Sequence, residues 1–309
     1  MGWIITGSIL IFLIAVVFTV SYVTYRIAFY SPKKKRKGDY DFPSGAEFSK
    51  HKESLIKLID KLNALEFEEV KIRAFDGVIL RARYYHILDG APVQIQFHGY
   101  KGTAARDFCG GNLLARQCGH NTLLVDQRGA GESGGNTICF GAKEKYDCLA
   151  WCNYVYERFG TSTPIYLAGV SMGASTVLGA TGLSLPPTVK GVVADCPFSS
   201  PKQIIKKVCK QMGFSPALAY PFLAFGAFVF GGFRLKDGEL KDAVKGSRVP
   251  ILLIHGDEDG LVPFEMSEEI YKTNEEMVQL EVFEGAGHGM SYIVDPDRYE
   301  RVIKEFLSR

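Results

Sequence analysis

From residue 70 onward, short apolar runs alternate with segments of helical periodicity, and this alternation constrains the fold more than any other feature. Two runs joined at Asp76-Gly77 predict a β-hairpin, and the later runs predict βαβ units. We therefore expect an α/β fold, with a mostly parallel eight-stranded sheet and helices on both faces. The predicted strands are 70–75, 78–86, 93–97, 122–125, 165–168, 191–194, 251–254 and 278–283. The predicted helices are 104–118, 144–159, 172–181, 265–273 and 298–307.

The first 25 residues carry no charged side chain, and residues 4–20 are almost wholly aliphatic. A helix of about 20 residues spans about 30 Å, which is the thickness of the hydrocarbon core of a bilayer. A cleaved signal peptide would need a basic start and a small-residue cleavage site, and a buried core helix rarely runs this far without a charge. We therefore expect residues 1–30 to form one permanent transmembrane helix, with residues 3–25 in the lipid.

Basic residues follow this segment directly. Pro32 is expected to break the helix, and the next five residues are Lys33-Lys34-Lys35-Arg36-Lys37. Such a run holds its end of a span in the cytoplasm and attracts anionic headgroups. We therefore expect a single-pass protein of the cell membrane, with the N-terminus outside and the body on the cytoplasmic side. A nuclear-localisation or nucleic-acid patch is the weaker alternative, because the run abuts the span.

The charge of the remaining chain argues against a nucleic-acid partner. Residues 1–37 hold six of the 36 Lys+Arg and none of the 34 Asp+Glu, so the other 272 residues carry 30 basic and 34 acidic groups, a net charge of −4. Nucleic-acid-binding surfaces are basic. The seven cysteines are irregularly spaced, mostly in apolar runs, and are expected to be free core thiols. Cys148 and Cys152 have the spacing of a metal pair but no further ligand nearby, so we expect neither a metal nor a cofactor.

Two further segments stand outside the alternation. Residues 31–67 predict a basic linker followed by an amphipathic helix, and residues 68–309 predict the main domain. Within that domain, residues 197–249 form a connection far longer than a usual crossover loop. It contains a chargeless aromatic stretch, 217–233, which is too short and too interrupted by Pro and Gly to predict a second span. We expect 197–249 to form a helical cap or lid over the ends of the strands.

Ser171 is the candidate nucleophile. It lies in Gly169-Val170-Ser171-Met172-Gly173, between a predicted strand and a predicted helix, which is the context that a G-x-S-x-G turn needs. The turn strains the serine backbone and projects its hydroxyl above the sheet. The flanking glycines are needed because a Cβ there would collide with the neighbouring strand or helix. A tight turn capped by a serine is the alternative interpretation.

A nucleophilic serine needs a base and an acid that orients it. His288 follows the last predicted strand between glycines, at the sheet edge where ligands bind in such folds. Asp259, in the loop after strand 251–254, is the expected acid, because it is far enough past the strand to turn back toward His288. Asp257 and Asp195 are the reserve candidates.

When a serine attacks a carbonyl carbon, the carbonyl oxygen becomes negatively charged. Backbone N–H groups are needed to stabilise this oxyanion. The N–H of Met172 opens the helix after Ser171, and the N–H of Tyr100 follows the strand 93–97, so these two groups are the expected pair. His98 precedes Tyr100 and might be mistaken for the base. Its position on a different strand predicts an orienting or packing role.

Four motifs together resemble the α/β-hydrolase superfamily, most of all bacterial serine hydrolases related to S9-type peptidases and esterases. They are Asp126-Gln127-Arg128-Gly129-Ala130-Gly131-Glu132-Ser133-Gly134, the serine turn, His255-Gly256-x-x-Asp259-x-x-Val262-Pro263 and Gly287-His288. The resemblance covers about residues 68–309. It implies a catalytic triad of Ser171, Asp259 and His288, with Tyr100 and Met172 as oxyanion donors. It also implies a structural role for the loop after Asp126. The anchor, the basic run and the cap lie outside the family pattern, so pocket specificity is not implied.

The resemblance implies a serine hydrolase that cleaves a carboxylic ester, thioester or amide through an acyl-enzyme, and the apolar N-terminal segment predicts that it is anchored in the membrane. The expected partners are a small-molecule, acyl or peptide substrate and the lipid bilayer, and no oligomeric state is predicted. Three alternatives stay open: an S9-like peptidase, an acyltransferase and, in another functional class, a non-catalytic binding or scaffold protein on the same fold.

Overall fold

A computed structural model of the chain describes residues 2–42 and 46–308. Met1, residues 43–45 and Arg309, which fall in the predicted anchor, linker and main domain, lie outside the described residues. The described strands are β1 (Glu68–Arg73), β2 (Ile79–Tyr85), β3 (Val93–Phe97), β4 (Asn121–Asp126), β5 (Ile165–Val170), β6 (Val189–Asp195), β7 (Ile251–Gly256) and β8 (Val278–Phe283). The described α-helices are α1 (Gly2–Ala28), α2 (Ala46–Asn63), α3 (Ala104–Gln117), α4 (Glu144–Phe159), α5 (Met172–Ala180), α6 (Pro201–Gln211), α7 (Pro216–Gly231), α8 (Lys241–Lys245), α9 (Phe264–Tyr271), α10 (Ser291–Val294) and α11 (Pro296–Leu307).

The eight strands form one sheet in the order β1-β2-β4-β3-β5-β6-β7-β8. β2 pairs antiparallel with both β1 and β4, and all other neighbours are parallel. Every predicted strand ends within two residues of the observed one. The predicted fold class, a mostly parallel eight-stranded sheet with flanking helices, is confirmed.

Alternate residues of the strands face two separate cores. Leu123 and Val125 of β4 share one buried cluster with Trp151 of α4. Leu124, between them, belongs to another cluster that includes Phe108 of α3. Successive side chains of a strand point to opposite faces of the sheet. These two clusters therefore show that α4 and α3 cover opposite faces, which buries the central strands on both sides.

α1 is a 27-residue helix, and its segment Trp3–Ala28 is long and apolar enough to cross a membrane. Its C-terminal end is fixed to the main domain. Phe29 is fully buried there, and its carbonyl oxygen accepts a hydrogen bond of 2.8 Å from the backbone N–H of Ile138. The N–H of Ser31 donates to Asn136 at 2.8 Å. The helix is therefore continuous with the folded body rather than joined to it by a free linker.

The aromatic stretch forms α7, which packs along α1. The rings of Phe18 and Phe225 meet edge to face with centroids 5.4 Å apart, and Tyr22 and Phe230 do so at 5.2 Å. Gly226 is required at this crossing, because a Cβ there would overlap the carbonyl oxygen of a residue on α1. Leu223 and Ala227 of α7 also share one buried cluster with Met172 and Phe198, which follow β5 and β6. The expectation of a cap over the strand ends stays a prediction.

The preceding helix, α6, lies beside the loop that follows β7. The Lys207 ammonium donates to the carbonyl oxygens of Gly260 and Leu261, both at 2.8 Å. The long connection thus has one helix at the carboxyl edge of the sheet and one on α1. The division of the chain into anchor, linker, main domain and cap stays a prediction.

Candidate active site

Ser171 occupies a strained turn between β5 and α5. Its φ and ψ are 55° and −118°, in a region that non-glycine residues rarely adopt. A Cβ at Gly173 would overlap the carbonyl oxygen of Phe97 on β3, and a Cβ at Gly169 would overlap the backbone of Gly173. The backbone of Ser171 is therefore strained, as expected, and neither Gly169 nor Gly173 has room for a side chain.

A continuous hydrogen-bonded chain links three of the predicted side chains. His288 Nε2 lies 3.0 Å from Ser171 Oγ, and His288 Nδ1 lies 2.7 Å from Asp259 Oδ2. These distances fit a neutral imidazole that donates from Nδ1 to the carboxylate and accepts the serine hydroxyl proton at Nε2. The parallel strands β5, β7 and β8 bring the three residues together, because each follows the carboxyl end of its strand.

The Asp259 carboxylate is held in its ionised form. The residue is 8% exposed, and its burial opposes ionisation, yet hydrogen bonds from His255 and His288 outweigh burial and keep the pKa of this carboxyl well below its usual range. Its Oδ1 also accepts the backbone N–H groups of Leu261 and Val262 at 2.9 and 2.8 Å. Asp259 therefore carries a negative charge next to the imidazole.

Tyr100 and Met172 both lie near Ser171, since Tyr100 lines the same cavity as the serine and Met172 follows it in the chain. Met172 opens α5, where the first N–H groups have no partner within the helix. Gly99 packs directly on the serine, since a Cβ on it would lie 3.3 Å from the Cβ of Ser171. The backbone of the next residue, Tyr100, therefore begins beside the serine. The phenol of Tyr100 donates to the carbonyl oxygen of Ala28 at 2.7 Å.

The reserve acids have other partners. Asp257 accepts the backbone N–H of Gly285 at 2.7 Å, which fixes the loop after β8. Asp195 is 4% exposed and accepts the Tyr299 hydroxyl at 3.2 Å; burial raises the pKa of this carboxyl to about 6. Its other oxygen is buried without a hydrogen-bond partner among the described residues. Neither carboxylate joins the hydrogen-bonded chain to Ser171.

His98 has the packing role expected for it. It is 1% exposed, its Nδ1 lies 2.8 Å from the carbonyl oxygen of Gly99, and its Nε2 accepts the N–H of Gln127 at 3.1 Å. The ring therefore ties the loop after β3 to the loop after β4.

Comparisons with known proteins find similar sequences and similar structures over most of the chain. A family model described as serine aminopeptidase, S33, matches residues 93–231, and one described as phospholipase/carboxylesterase matches residues 211–294. The esterase PF2001 of Pyrococcus furiosus has a similar structure, with a TM-score of 0.66, 26% identity, and coverage of 81% of this chain and 93% of the esterase. The chain has the α/β-hydrolase fold, and its sequence is similar to members of that superfamily.

Curated relatives of this chain include proteins from bacteria and animals. The uncharacterized protein YqkD of Bacillus subtilis (strain 168) is 27% identical over 61% of this chain, and the lysophosphatidylserine lipase ABHD12 of Rattus norvegicus is 25% identical over 71%. The matches span only 62% and 56% of the length of those two relatives. The S33 description also differs from the S9-type peptidases that the motifs resemble.

A cavity of about 540 Å³ opens beside Ser171, a size typical of small-molecule sites. Ser171 and His288 line it together with mainly apolar side chains. Those side chains include Leu55, Leu58, Phe108, Leu261, Tyr292 and Ile293. A larger groove of about 830 Å³ lies along β8, but none of the predicted site residues lines it.

Sequence reasoning missed the contribution of His255. Its Nε2 lies 3.0 Å from the carbonyl oxygen of Val262 and 3.2 Å from Asp259 Oδ2, and its Nδ1 lies 2.7 Å from the Ser267 hydroxyl. This buried ring fixes the loop that carries Asp259. The signal was the i, i+4 spacing of His255 and Asp259 at the end of β7.

The α2 wall of the cavity was also missed. Leu55 and Leu58 lie more than 100 residues before Ser171 in the chain, and their helical spacing predicted only an amphipathic helix. No local pattern tells which cavity such a face closes.

The loop after Asp126 crosslinks the fold. Arg128 is 4% exposed and donates to Asp147 of α4 at 2.6 Å and to Asp76 of the β1–β2 hairpin at 2.8 Å. This placement accords with the structural role that the resemblance implied.

One group of possible metal ligands coincides with the site. Polar atoms of Cys196, Asp259 and His288 lie within 4.8 Å of one another. Burial raises the pKa of the Cys196 thiol well above its usual value, which disfavours the thiolate that a metal needs. His288 and Asp259 also use the relevant atoms for each other.

Proposed function

We propose that this protein is a membrane-anchored serine hydrolase that acts through Ser171, His288 and Asp259. The observation that carries the proposal is the hydrogen-bonded chain from Asp259 through His288 to Ser171, at a strained turn that opens into an apolar cavity. A nucleophile, a base within hydrogen-bond reach and a group that orients the base are what nucleophilic acyl transfer requires.

In the proposed mechanism, Ser171 Oγ attacks the substrate carbonyl carbon while His288 Nε2 takes the hydroxyl proton. The backbone N–H groups of Tyr100 and Met172 stabilise the resulting oxyanion. His288 then passes its proton to the departing alcohol, thiol or amine, which leaves an acyl-serine. Water, deprotonated by the same nitrogen, attacks the acyl-serine, and His288 returns this proton to Ser171 Oγ as the acid leaves. Asp259 stays ionised throughout and stabilises the imidazolium.

The cavity lining favours a carboxylic ester with an acyl chain as the substrate. Apolar side chains from α2, α3 and the loop after β7 surround the serine, and they would desolvate hydrocarbon at little cost. Two relatives support the same class, since one is described as an esterase and another as a lysophosphatidylserine lipase. Amide cleavage is the second candidate, because the S33 serine aminopeptidase model matches the segment that includes Ser171. Acyl transfer to an alcohol shares the same covalent step.

A non-catalytic role on this fold is the alternative of another class. The presence of all three side chains in hydrogen-bonding positions argues against it, because a binding protein has no need of an aligned serine, imidazole and carboxylate.

Membrane anchoring is supported by α1 and α7. Side chains of α1 such as Ile4 and Phe12 are 74% and 67% exposed, and α7, which packs on α1, exposes Leu218 at 72% and Phe228 at 52%. Such apolar surface is stable in lipid and not in water. The basic run after α1 supports an inward orientation of the body.

Hydrolysis assays with the purified full chain test the catalytic proposal. p-Nitrophenyl esters of increasing acyl length and aminoacyl amides are compared for the wild type and for Ser171→Ala. We expect preferred cleavage of esters and a fall in kcat/KM of about 10⁴-fold or more in the variant. Ser175→Ala, one helical turn away, is the control, because the Ser175 hydroxyl donates to the carbonyl of Phe198 at 2.9 Å. Wild-type activity in Ser171→Ala would refute the mechanism.

A further inference from the structure

A second cavity, of about 400 Å³, lies where α1 meets the main domain. Its walls come from the last turn of α1, from residues 30–37 and from the loops after β3 and β4. It adjoins the serine cavity, since Tyr100 lines that cavity and the next residue, Lys101, lines this one.

The lining of this cavity is strongly basic. Four of its twelve lining residues are Arg26, Arg36, Lys37 and Lys101, and none is acidic. Burial lowers the pKa of Lys101, and the neighbouring positive charge of Lys37 lowers it further. A pKa lowered by these two causes is typical of a lysine without a carboxylate close to it.

The carboxylates next to this cavity have other partners. Glu132 pairs with Lys33 at 2.6 Å, and Asp126 accepts the backbone N–H of Glu132 at 2.9 Å from beneath the loop. Both attract Arg36 and neither lines the cavity. Apart from Arg36, which these two carboxylates attract, the cations of the lining are therefore open to an external anion.

Two of the cations are held in place before any ligand arrives. Arg36 donates to the carbonyl oxygens of Gly131 at 2.7 Å, Ser133 at 2.6 Å and Gly135 at 2.6 Å. Arg26 donates to the hydroxyl of Tyr22 at 2.8 Å and stacks over the ring of Tyr30 at 4.0 Å. Arg36 therefore contributes a fixed positive charge, because its donors already bond to the carbonyls of the loop. Charges that are fixed beforehand lose little entropy when a phosphate binds.

The position of the cavity identifies the source of the anion. Arg26 is in the last turn of the apolar segment Trp3–Ala28, and tyrosines lie four residues to either side of it. Aromatic rings next to a basic residue at the end of a span are typical of the headgroup layer. A zwitterionic lipid would place its ammonium near four cations, whereas an anionic lipid adds no positive charge there.

We propose that this cavity binds the phosphate of an anionic membrane lipid. The proposal rests on the membrane placement of α1 proposed above, and it is independent of the reaction at Ser171. The bound phosphate would neutralise Lys101, which donates to the carbonyl oxygen of Ile27 at 3.0 Å and follows the expected oxyanion donor Tyr100.

Binding is measured with the full chain in detergent micelles by native mass spectrometry. The probe is an ether-linked phosphatidylglycerol, which no esterase can hydrolyse, and ether-linked phosphatidylcholine is the comparison. We expect at least tenfold tighter binding of the anionic lipid. Lys101→Gln and Arg26→Gln should each weaken it about tenfold, the effect of one charge-assisted hydrogen bond. Lys34→Gln, an exposed lysine of the same run that does not line the cavity, should change affinity less than twofold.

Three results would overturn the proposal. Equal losses in Lys34→Gln and Lys101→Gln would show diffuse attraction by the basic run. Equal affinities for the two lipids would remove the headgroup selectivity. Competition by inorganic phosphate at concentrations as low as those of the lipid would assign the cavity to free phosphate. Thermal melts verify folding, and if Lys101→Gln does not fold, the surface variant Arg26→Gln decides. Because no ester is cleaved, this assay can succeed or fail independently of the Ser171 mechanism.

Discussion

At the scale of single residues, the carboxylate of Asp259 makes the largest number of polar contacts among the three triad side chains. Two histidines and two backbone N–H groups direct hydrogen atoms at it, so its charge and its position are both fixed. The imidazole of His288 is thereby aligned on Ser171 before a substrate binds. Preorganisation of this kind costs nothing at the moment of reaction.

Replacing Asp259 by asparagine should lower kcat on a p-nitrophenyl ester by about 10⁴-fold, because the neutral amide neither stabilises the imidazolium nor holds the correct tautomer. Asp257→Asn is the matched control. Its carboxylate bonds only to the loop at Gly285 among the described residues, so its loss should change kcat less than about threefold. Steady-state kinetics of both variants measure the difference. A kcat for Asp259→Asn within tenfold of wild type would exclude Asp259 as the orienting acid.

Asp195 should destabilise the folded protein at neutral pH. Burial raises its pKa to about 6 from 3.8, so the folded state binds the proton more tightly than the unfolded state does. The favourable contribution is complete below pH 3.8 and is lost as the pH rises through 6. Asp195→Asn, which stays neutral, should gain about 1–3 kcal/mol of unfolding free energy over wild type at pH 8 and almost nothing at pH 4. Chemical denaturation at the two pH values measures this, and an equal effect at both would contradict it.

At the scale of elements, strands and helices followed from local patterns. The hairpin at Asp76-Gly77 and the buried apolar runs fix their own secondary structure, which is why the predicted strand ends lie within two residues of the observed ones. The place of α7 could not be predicted in the same way. The apolar composition of α7 predicts that it is buried. Its partner, α1, lies about 200 residues earlier in the chain, so the contact between the two helices forms only in the folded protein.

Phe29 should be an important link between α1 and the main domain. It is fully buried, and its ring meets Phe140 and Phe233 with centroids 5.6 and 5.4 Å away. Phe29→Ala should lower the free energy of unfolding in detergent by about 3–5 kcal/mol, the usual cost of emptying an aromatic site. Phe12→Ala removes a ring that is 67% exposed on α1 and should cost less than about 0.5 kcal/mol. Equal costs would show that the end of α1 is not docked as described.

At the scale of the whole molecule, an apolar helix long enough to cross a membrane is joined to an α/β-hydrolase fold at the edge of the candidate site. The phenol of Tyr100 and the ammonium of Lys101 donate to the last carbonyl groups of α1, so the end of the helix and the loop beside Ser171 form one structure. The candidate catalytic residues could be selected from the sequence, because each follows a strand at one edge of the sheet. The cavity walls could not, because α2 reaches the serine cavity, and α1 the cavity next to it, only through tertiary packing.

The inward orientation of the body is testable on intact cells. A protease added outside should leave residues 38–309 undigested, because the basic run after α1 holds that side in the cytoplasm. Immunoblotting for the C-terminus measures the outcome, and cells made permeable supply the control in which digestion must occur. Digestion on intact cells would reverse the orientation.

The most direct test of the catalytic account is covalent labelling of the folded full chain by a fluorophosphonate, followed by peptide mapping. The account predicts one adduct per chain, on Ser171, absent in Ser171→Ala and formed at least about 10³-fold more slowly in His288→Ala. An adduct on another residue, or no labelling of a protein shown to be folded by its thermal melt, would contradict it.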